Sequence, residues 1–295
     1  MKLEFKNIEK SFGTKKVLDG VSFVAHSGRA FGLLGRNGAG KTTSIRILMD
    51  VFGADNGEVL LDGTPIDYKK TTFGYLPEER GLYPKKKIVD QLVYFAELNG
   101  LERREAVASV DRWLHRLGME EYRSKRLDTL SKGNQQKIQL ITALSHDPQI
   151  VILDEPFSGL DPVNAMLLKD VVKEQIGRGK IVLFSSHQMN YIEEFCDSIA
   201  ILHKGRAVLT GELYDIKRNY PRNKLVVRST ERERIKSESG LSCTDLGEDG
   251  LLITLASPDE KSRAMEILTT SYDIDEVRVY EPSLNDIFVE YARED

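Results

Sequence analysis

The stretch GRNGAGKT, Gly35–Thr42, decides the fold of this chain. It has the spacing G-x-x-x-x-G-K-[ST] and lies between a compact apolar run, 31–35, and a stretch with helical spacing, 42–48. In a glycine-rich turn at the start of a helix, successive N–H groups form a nest for phosphate. The stretch is therefore predicted to be a phosphate-binding loop between a strand and a helix. A glycine-rich turn with an incidental lysine is the alternative.

The side chains of this loop suit a nucleoside triphosphate that carries Mg²⁺. Lys41 can reach the β- and γ-phosphates, the Thr42 hydroxyl can ligate Mg²⁺, and Thr43 can hold an α-phosphate oxygen. The glycines do not have the G-x-G-x-x-G spacing of dinucleotide sites, which excludes that class of ligand. The residues predicted to surround the phosphates are Gly35, Arg36, Asn37, Gly38, Ala39, Gly40, Lys41, Thr42 and Thr43.

A pair of carboxylates, Asp154 and Glu155, stands at the end of a later apolar run, IVIL, at 150–153. Asp154 is expected at the end of a buried strand, where it would orient Mg²⁺ through water, and Glu155 would polarise the attacking water. Because neighbouring residues of a strand point to opposite sides, the two carboxylates can have different tasks. Two solvated acids at the end of a strand are the alternative, which the upstream phosphate loop makes weaker.

The composition limits the classes of protein that need to be considered. The chain has 295 residues, 40% hydrophobic and 30% charged, which suits one large domain and a smaller one. The net charge of −4 gives no electrostatic case for nucleic acid as a partner. Cys196 and Cys243 predict two reduced thiols in a cytosolic protein, without a disulfide or a metal site. The chain has no signal-peptide pattern and no apolar run of about 18 residues, so no segment is predicted to span a bilayer.

Buried apolar strands alternate with helical patterns along the chain, which predicts an α/β fold with a mainly parallel sheet covered on both faces. Helical spacing from about 86 to 146 predicts a helical subdomain. A polar segment around Pro221 marks a boundary, so that residues 1–217 and 223–295 are predicted to form separate domains. The second domain reads strand, helix, strand, strand, helix, strand and a last helix, which is the order of a ferredoxin-like α+β domain.

Five motifs in this order, GRNGAGKT, LSKGNQQ, VILDEP, SGLDP and SSH, resemble those of the nucleotide-binding subunit of an ABC transporter. The resemblance covers about Met1 to Tyr214. Three stretches, the loop GYLPEERGLYP, LSKGNQQK and the ending EPSLNDIFVEY, resemble those of a bacterial subgroup. This subgroup consists of the ATPase subunits of sodium-extrusion-type and related antibiotic or peptide exporters, which carry a C-terminal accessory domain. The resemblance implies a P-loop NTPase (RecA-like) core with antiparallel β and α-helical subdomains. It also implies ATP and Mg²⁺ as cofactors.

The resemblance also assigns residues outside the phosphate loop. Phe12 matches the aromatic residue that stacks on adenine, with a core aromatic as the alternative. Glu78 stands where the family usually has a glutamine that touches Mg²⁺ or the attacking water, and its carboxylate can still ligate a hard cation. His187 matches the histidine that contacts the γ-phosphate. Asp161 matches a residue that pairs across a dimer, although a plain turn before a helix would use the same letters.

The motif LSKGNQQ, Leu130–Gln136, resembles the part of the site that a second subunit contributes. Ser131 is predicted to cap a helix whose N-terminus would face the γ-phosphate of ATP on the opposing subunit. The family pattern is L-S-G-G-Q, so Ser131 and Gly133 are kept, whereas Lys132 and Asn134 are departures. Asn134 keeps the amide group with a shorter reach, which leaves the strength of this half-site open.

The leading hypothesis is an ATPase that hydrolyses ATP to ADP and phosphate at a dimer interface and so drives transport, in the direction of export. The resemblance implies two partners: separate transmembrane permease subunits, and a second nucleotide-binding subunit that is a copy or a relative. It implies a cytoplasmic protein held at the inner face of the membrane by the permease. A soluble ABC ATPase not linked to transport, and an ATP-gated module with poor turnover, are the alternatives.

Overall fold

The computed structural model describes residues 1–79, 81–158, 160–221, 223–247 and 250–293. Two positions in the recognised motifs, Arg80 and Gly159, lie outside the described residues. The chain divides into two compact units, Met1–Leu213 with Tyr291–Asp295, and Tyr214–Glu290. The strands and helices in chain order are β1 (Lys2–Phe12), β2 (Lys15–His26), β3 (Arg29–Gly35), α1 (Lys41–Leu48), β4 (Asn56–Leu61), β5 (Thr64–Pro65), β6 (Phe73–Leu76), α2 (Ile88–Leu98), α3 (Arg103–Arg116), α4 (Lys132–Leu144), β7 (Ile150–Asp154), α5 (Pro162–Gly177), β8 (Ile181–Ser186), α6 (Met189–Phe195), β9 (Ser198–His203), β10 (Arg206–Glu212), α7 (Leu213–Asn219), β11 (Lys224–Arg228), α8 (Arg232–Glu238), β12 (Ser242–Leu246), β13 (Gly250–Thr254), α9 (Lys261–Ser271), β14 (Glu276–Val279) and α10 (Leu284–Arg293).

The first unit is built on a six-stranded sheet in the order β10-β9-β3-β8-β7-β6. All neighbouring strands are parallel except β10, which pairs antiparallel with β9. Strands β7 and β8 are buried at every residue, as expected for continuous apolar runs covered on both faces. Because β8 lies between β3 and β7, the carboxyl ends of these three strands meet at one edge of the sheet, which brings the segments that follow them together.

A second sheet, in the order β2-β1-β4-β5, is antiparallel and covers one face of the central sheet. The ring of Phe23 stacks on Phe5 within this sheet and on Phe31 of β3, with ring centroids 4.3 and 4.7 Å apart, so aromatic packing joins the two sheets. The turn between β4 and β5 places Asp62 and Gly63 at positive φ, 51° and 80°. These are the residues and dihedrals of a two-residue hairpin, which an Asp-Gly pair between two strands favours.

The helical part between β6 and β7 consists of α2, α3 and α4, which pack on one another, and α4 also contacts β6. Helix α3 begins with a capping box formed by Glu102 and Glu105. Helix α4 begins after Ser131, whose hydroxyl oxygen accepts from the backbone N–H of Asn134 at 3.4 Å, so the predicted cap is confirmed. Among the described residues, no helix has the length and apolar character needed to cross a membrane.

The second unit is a four-stranded antiparallel sheet in the order β12-β13-β11-β14 with helices α8 and α9. Its core consists of alternate residues of the strands and the apolar faces of these helices, including Leu225, Ile235, Ile253 and Leu268. The arrangement agrees with the predicted ferredoxin-like order of elements. Helix α7 was not predicted: Leu213 is its only buried residue, so its sequence shows no apolar period.

Candidate active site

The loop between β3 and α1 has the backbone that a phosphate cradle requires. Gly40, the residue before α1, has φ 111° and ψ 0°, and a Cβ atom there would lie 2.5 Å from Leu18 Cδ2. Gly38 has φ 84°. Glycine is thus needed at Gly40 for two independent reasons, a left-handed backbone and a close approach to β2. The N–H groups at the start of α1 are left for a ligand, as in other anion sites at helix N-termini.

Lys41 is held inside this loop. Its side chain is buried, and its Nζ donates to the carbonyl oxygen of Gly35 at 2.6 Å. Burial lowers the pKa of Lys41, while the nearby carboxylates of Glu155, Asp154 and Glu78 act in the opposite direction. The ammonium group therefore lies where a polyphosphate would add further negative charge around it.

An open cleft of about 580 Å³ joins the loop to the end of β7. Its described lining consists of Lys15, Lys16, Val17, Arg36, Asn37, Gly38, Gly40, Lys41, Thr42, Thr43, Glu78, Asp154, Glu155, Lys204 and Gly205. Most of the predicted phosphate-loop residues therefore share one cavity with Glu78, Asp154 and Glu155, the carboxylates predicted to act on Mg²⁺ or water. Gly35 and Ala39 belong to the same loop without being part of this lining.

Three lysines of the cleft were not predicted from the sequence. Lys15 and Lys16 lie at the start of β2, and Lys204 lies in the turn between β9 and β10. With Arg36 and Lys41 they give the cleft a surplus of cations over carboxylates, which favours a polyanionic ligand. The adjacent residues Lys15 and Lys16, shortly after Phe12, formed the only sequence pattern that pointed to any of these three lysines.

Asp154 ends β7 and is buried at the inner end of the cleft. Burial raises the pKa of Asp154, and the negative charges of Glu78 and Glu155 act in the same direction. The hydroxyl of Tyr75 on β6 donates to Asp154 Oδ2 at 3.4 Å. Tyr75 was missed because an aromatic residue in a short apolar strand gives no sign of a polar contact.

Glu155 leaves the strand with φ 49°, a left-handed backbone that is uncommon for a non-glycine residue. The alternation expected of a strand therefore does not extend to Glu155, and both carboxylates line the same cleft. The Glu155 carboxylate is buried and accepts three hydrogen bonds, from Ser186 Oγ at 2.9 Å, from the His187 backbone N–H at 2.8 Å and from His187 Nδ1 at 2.6 Å. A carboxylate in this position can accept a proton from a water molecule in the cleft.

His187 follows β8, and its side chain is half exposed. The imidazole contacts Glu155 through Nδ1, which directs the opposite ring edge away from that carboxylate. Together with Arg36, Asn37, Gly38 and Ala39 it lines a second opening of about 580 Å³ beside the phosphate loop. The structure thus places His187 next to both the loop and Glu155.

The remaining predicted residues lie elsewhere. Asp161 caps α5, accepting from the backbone N–H groups of Val163 and Asn164, both at 3.0 Å. A Cβ atom on Gly133 would lie 2.6 Å from Asn164 Nδ2 and 3.5 Å from Asp161 Oδ2, so the N-termini of α4 and α5 lie side by side. The described lining of the 580 Å³ cleft with Lys41 includes none of Ser131, Gly133, Asn134 and Asp161.

Phe12 ends β1 with half of its surface exposed, so it is not a core aromatic. Its ring packs edge-on against Phe52, with centroids 5.4 Å apart, and the ammonium of Lys10 lies 5.7 Å from its centroid. The described lining of the cleft does not include it. Phe12 lies three residues before Lys15, the first lysine of the cleft, and its exposed aromatic face is accessible to a planar ligand.

Two protein-family models match the chain. One, described as ABC transporter, matches residues 18–158, and one described as ATP-binding protein DrrA1-3-like, C-terminal domain, matches residues 211–292. The chain is also 43% identical over 290 residues to the Uncharacterized ABC transporter ATP-binding protein YhaQ of Bacillus subtilis. The matched region covers 98% of this chain and 97% of that protein. The chain belongs to the ABC transporter family of ATP-binding proteins.

Two further comparisons agree with this assignment. The ABC protein is 33% identical over 213 residues to the Nod factor export ATP-binding protein I of Burkholderia lata, 71% of this chain and 70% of that one. A solved structure described as that of an ATP binding subunit of an ABC transporter matches with a TM-score of 0.69 and 32% identity, over 75% of this chain and 93% of that one. The predicted family and fold class are confirmed. The protein is an ATP-binding subunit of ABC type and an ATPase, and its relatives favour a role in transport over that of a soluble ATPase.

Proposed function

We propose that this ABC ATPase drives export by hydrolysing ATP bound with Mg²⁺ in the cleft lined by Lys41, Asp154 and Glu155. One observation carries the proposal: a single cavity is lined both by most of the phosphate loop and by Asp154 and Glu155 at the end of β7. Hydrolysis of a bound triphosphate needs an anion cradle, a cation to neutralise its charge and a group that polarises water. All three kinds of group are present there.

The residues available for Mg²⁺ are the Thr42 hydroxyl and the carboxylates of Asp154 and Glu78, all of which line the cleft. These oxygen donors are of the type that this hard cation prefers. No described group of three or more His, Cys, Asp or Glu residues is placed to hold a metal by itself. The fit is therefore to a cation that arrives with the nucleotide and shares its phosphate oxygens, and Mg²⁺ bound in this way would neutralise phosphate charge.

Glu155 is the proposed general base, because three hydrogen bonds from Ser186 and His187 fix its carboxylate where it lines the cleft. His187 is proposed to contact the γ-phosphate with the ring edge that does not face Glu155. Glu78 is proposed to touch the cation or the attacking water, although its charge differs from that of the family's usual glutamine. The phosphates are proposed to lie against the loop from Gly35 to Thr43, with the adenine on Phe12.

We propose that Ser131, Gly133, Asn134 and Asp161 act on ATP held by a second subunit. Their separation from the cleft supports this, together with their shared position at the N-termini of α4 and α5. Two adjacent helix N-termini on one face can approach a phosphate that another chain presents. The second subunit is a copy of this chain or a related one.

The proposed partner across the membrane is a separate transmembrane permease, which would hold the protein at the cytoplasmic face. The direction of export rests on the named function of the Nod factor relative. We propose that residues 1–217 form the nucleotide-binding domain, with a helical subdomain at about 86–146, and that residues 223–295 form an accessory domain.

The test combines turnover with capture of the partner. The chain and its Lys41→Ala variant are purified, and ATP binding and ATP hydrolysis are measured. Lys70→Ala is the matched control, because Lys70 is exposed and is not part of the described lining of the cleft. Lys41→Ala should lose more than about 100-fold of the turnover, as expected when a preorganised charge contact with phosphate is removed. Near-normal hydrolysis by Lys41→Ala would contradict the site. Failure of a tagged chain to co-purify with any multi-span membrane protein would contradict the transport role.

A further inference from the structure

The hydroxyl of Ser186 occupies a special place beside Glu155. Ser186 is the last residue of β8 and is buried, with 3% of its surface exposed. Its Oγ lies 2.9 Å from Glu155 Oε2 and 3.0 Å from the backbone nitrogen of Gln188. One side chain therefore joins the carboxylate after β7 to the backbone that follows His187.

The direction of these hydrogen bonds is determined by the groups themselves. The Gln188 N–H can only donate, so Ser186 Oγ accepts from it, and the single proton of the hydroxyl is left for Glu155 Oε2. The other carboxylate oxygen, Oε1, is held by two donors of His187. Each oxygen of Glu155 is thus held by its own donor set, and Ser186 supplies the described contact on Oε2.

We infer that Ser186 is the positioning residue of this ATPase: it sets the orientation of the Glu155 carboxylate and ties that orientation to the segment carrying His187. The inference rests on the proposed role of Glu155 as general base. With Ser186 removed, His187 would hold only Oε1, and the carboxylate could rotate about that contact. Ser186 is buried and is not part of the described lining of the cleft, so water has little access to replace the lost donor.

The unusual backbone at Glu155 brings its side chain within reach of Ser186. Its φ of 49° and the hydrogen bond from its N–H to the carbonyl oxygen of Ser185, 2.8 Å, turn the residue out of β7 towards the end of β8. The direction of the Glu155 side chain is then determined by the hydrogen-bond donors at the end of β8. A base is effective only when it lies within hydrogen-bond reach of its water in the right orientation, so the donor that orients it affects turnover directly.

The test is a set of variants at Ser186, each measured in the otherwise wild-type chain and in Glu155→Gln. Ser186→Ala should lower kcat by about 10-fold to 100-fold, the range expected for a hydrogen bond to a charged group, and leave the KM and Kd for ATP within about 2-fold. Ser186→Thr keeps the hydroxyl and should restore most of kcat. Ser198→Ala, a buried serine at the opposite end of the parallel strands, is the matched control and should behave as wild type.

The double variant separates positioning from a structural role. In Glu155→Gln, Ser186→Ala should change the residual single-turnover rate by less than about 2-fold, since residues that act through one group are not additive. An equal loss in both backgrounds, or an unchanged kcat for Ser186→Ala, would overturn the inference. A wild-type kcat for Glu155→Gln alone would instead overturn the proposed base. Should Ser186→Ala not fold, Ser186→Thr and Ser186→Val give the same comparison, because only threonine carries the hydroxyl.

Discussion

Replacing Glu155 by glutamine is the change that most directly tests the chemistry of the cleft. Glutamine has nearly the shape of glutamate but one acceptor oxygen and an NH₂ group, and it cannot accept a proton from water. In the structure the carboxylate receives hydrogen bonds from Ser186 Oγ and from two donors of His187. The amide oxygen can keep the two from His187, and its nitrogen then faces the Ser186 hydroxyl.

The two consequences of this change differ in size. On folding, all three hydrogen bonds lose the charge of their acceptor, and the one with Ser186 also reverses its direction; because a buried charge is removed at the same time, the net loss should be about 1–2 kcal/mol. This is small against the roughly 5–15 kcal/mol that stabilise a typical domain, so the variant should fold. On turnover, loss of a general base costs about 100-fold to 10,000-fold, or about 3–5 kcal/mol in the barrier. The effect on kcat should therefore exceed the effect on stability.

The assay has two parts. Steady-state hydrolysis should fall at least about 100-fold with ATP affinity retained. Light scattering during size-exclusion chromatography with ATP should show the 33.4 kDa chain shifted to a dimer, because bound ATP is no longer consumed. Glu155→Asp is the matched control, because aspartate keeps the negative charge of the carboxylate but its side chain is too short to place it at the same position. A kcat within about 5-fold of wild type, or a strict monomer with ATP, would refute the assignment of Glu155 as base.

Four further predictions follow from the same site. Burial raises the pKa of Asp154 in the folded state, so the wild type loses stability as the pH rises through that folded-state pKa. Asparagine carries no charge at any pH, so Asp154→Asn should raise Tm at pH 7.5 and should no longer raise it in acid, where Asp154 is protonated. Glu78→Gln removes a negative charge from the cleft, so Mg²⁺-free ATP should bind several-fold more tightly in a fluorescence titration; unchanged affinity would contradict its position there. Gly40 has φ 111°, and an added Cβ atom would lie 2.5 Å from Leu18 Cδ2, so Gly40→Ala should lower the free energy of unfolding in urea by about 1–3 kcal/mol. The control Gly177→Ala should not lower it, because an added Cβ atom there meets no atom within 4 Å. Ser131→Ala should cost about 1 kcal/mol through the lost helix cap, and a Tm equal to wild type would exclude the cap.

Much of the fold could be predicted because its signals are local. Strand β7 is a continuous apolar run, α4 begins at a serine cap, and the hairpin after β4 turns at Asp62-Gly63. Each of these depends on residues within a few positions of one another, which a sequence displays directly. Helix α7 could not be predicted in this way, because it has one buried residue and its sequence therefore lacks the apolar period that marks a helix.

The candidate site could be predicted where a motif carries it and not where distant segments meet. The phosphate loop and the pair Asp154 and Glu155 are each short stretches with a known chemical purpose. Tyr75 of β6 contacts Asp154, and Lys204 lines the cleft from the turn between β9 and β10, but no spacing in the sequence links either residue to this site. The roles of the individual residues stay predictions, which the variants above test.

The sequence by itself determined the family, the order of the elements and which stretches carry phosphate chemistry, because periodicity and motif spacing are properties of neighbouring residues. Only the tertiary structure decided that Ser186 holds one oxygen of Glu155 while His187 holds the other, and that Gly133 lies against Asn164. Those contacts depend on the placing of β8 between β3 and β7 and of α4 beside α5. Strand order and helix packing arise from the burial of a whole core, and therefore from many residues far apart in the chain.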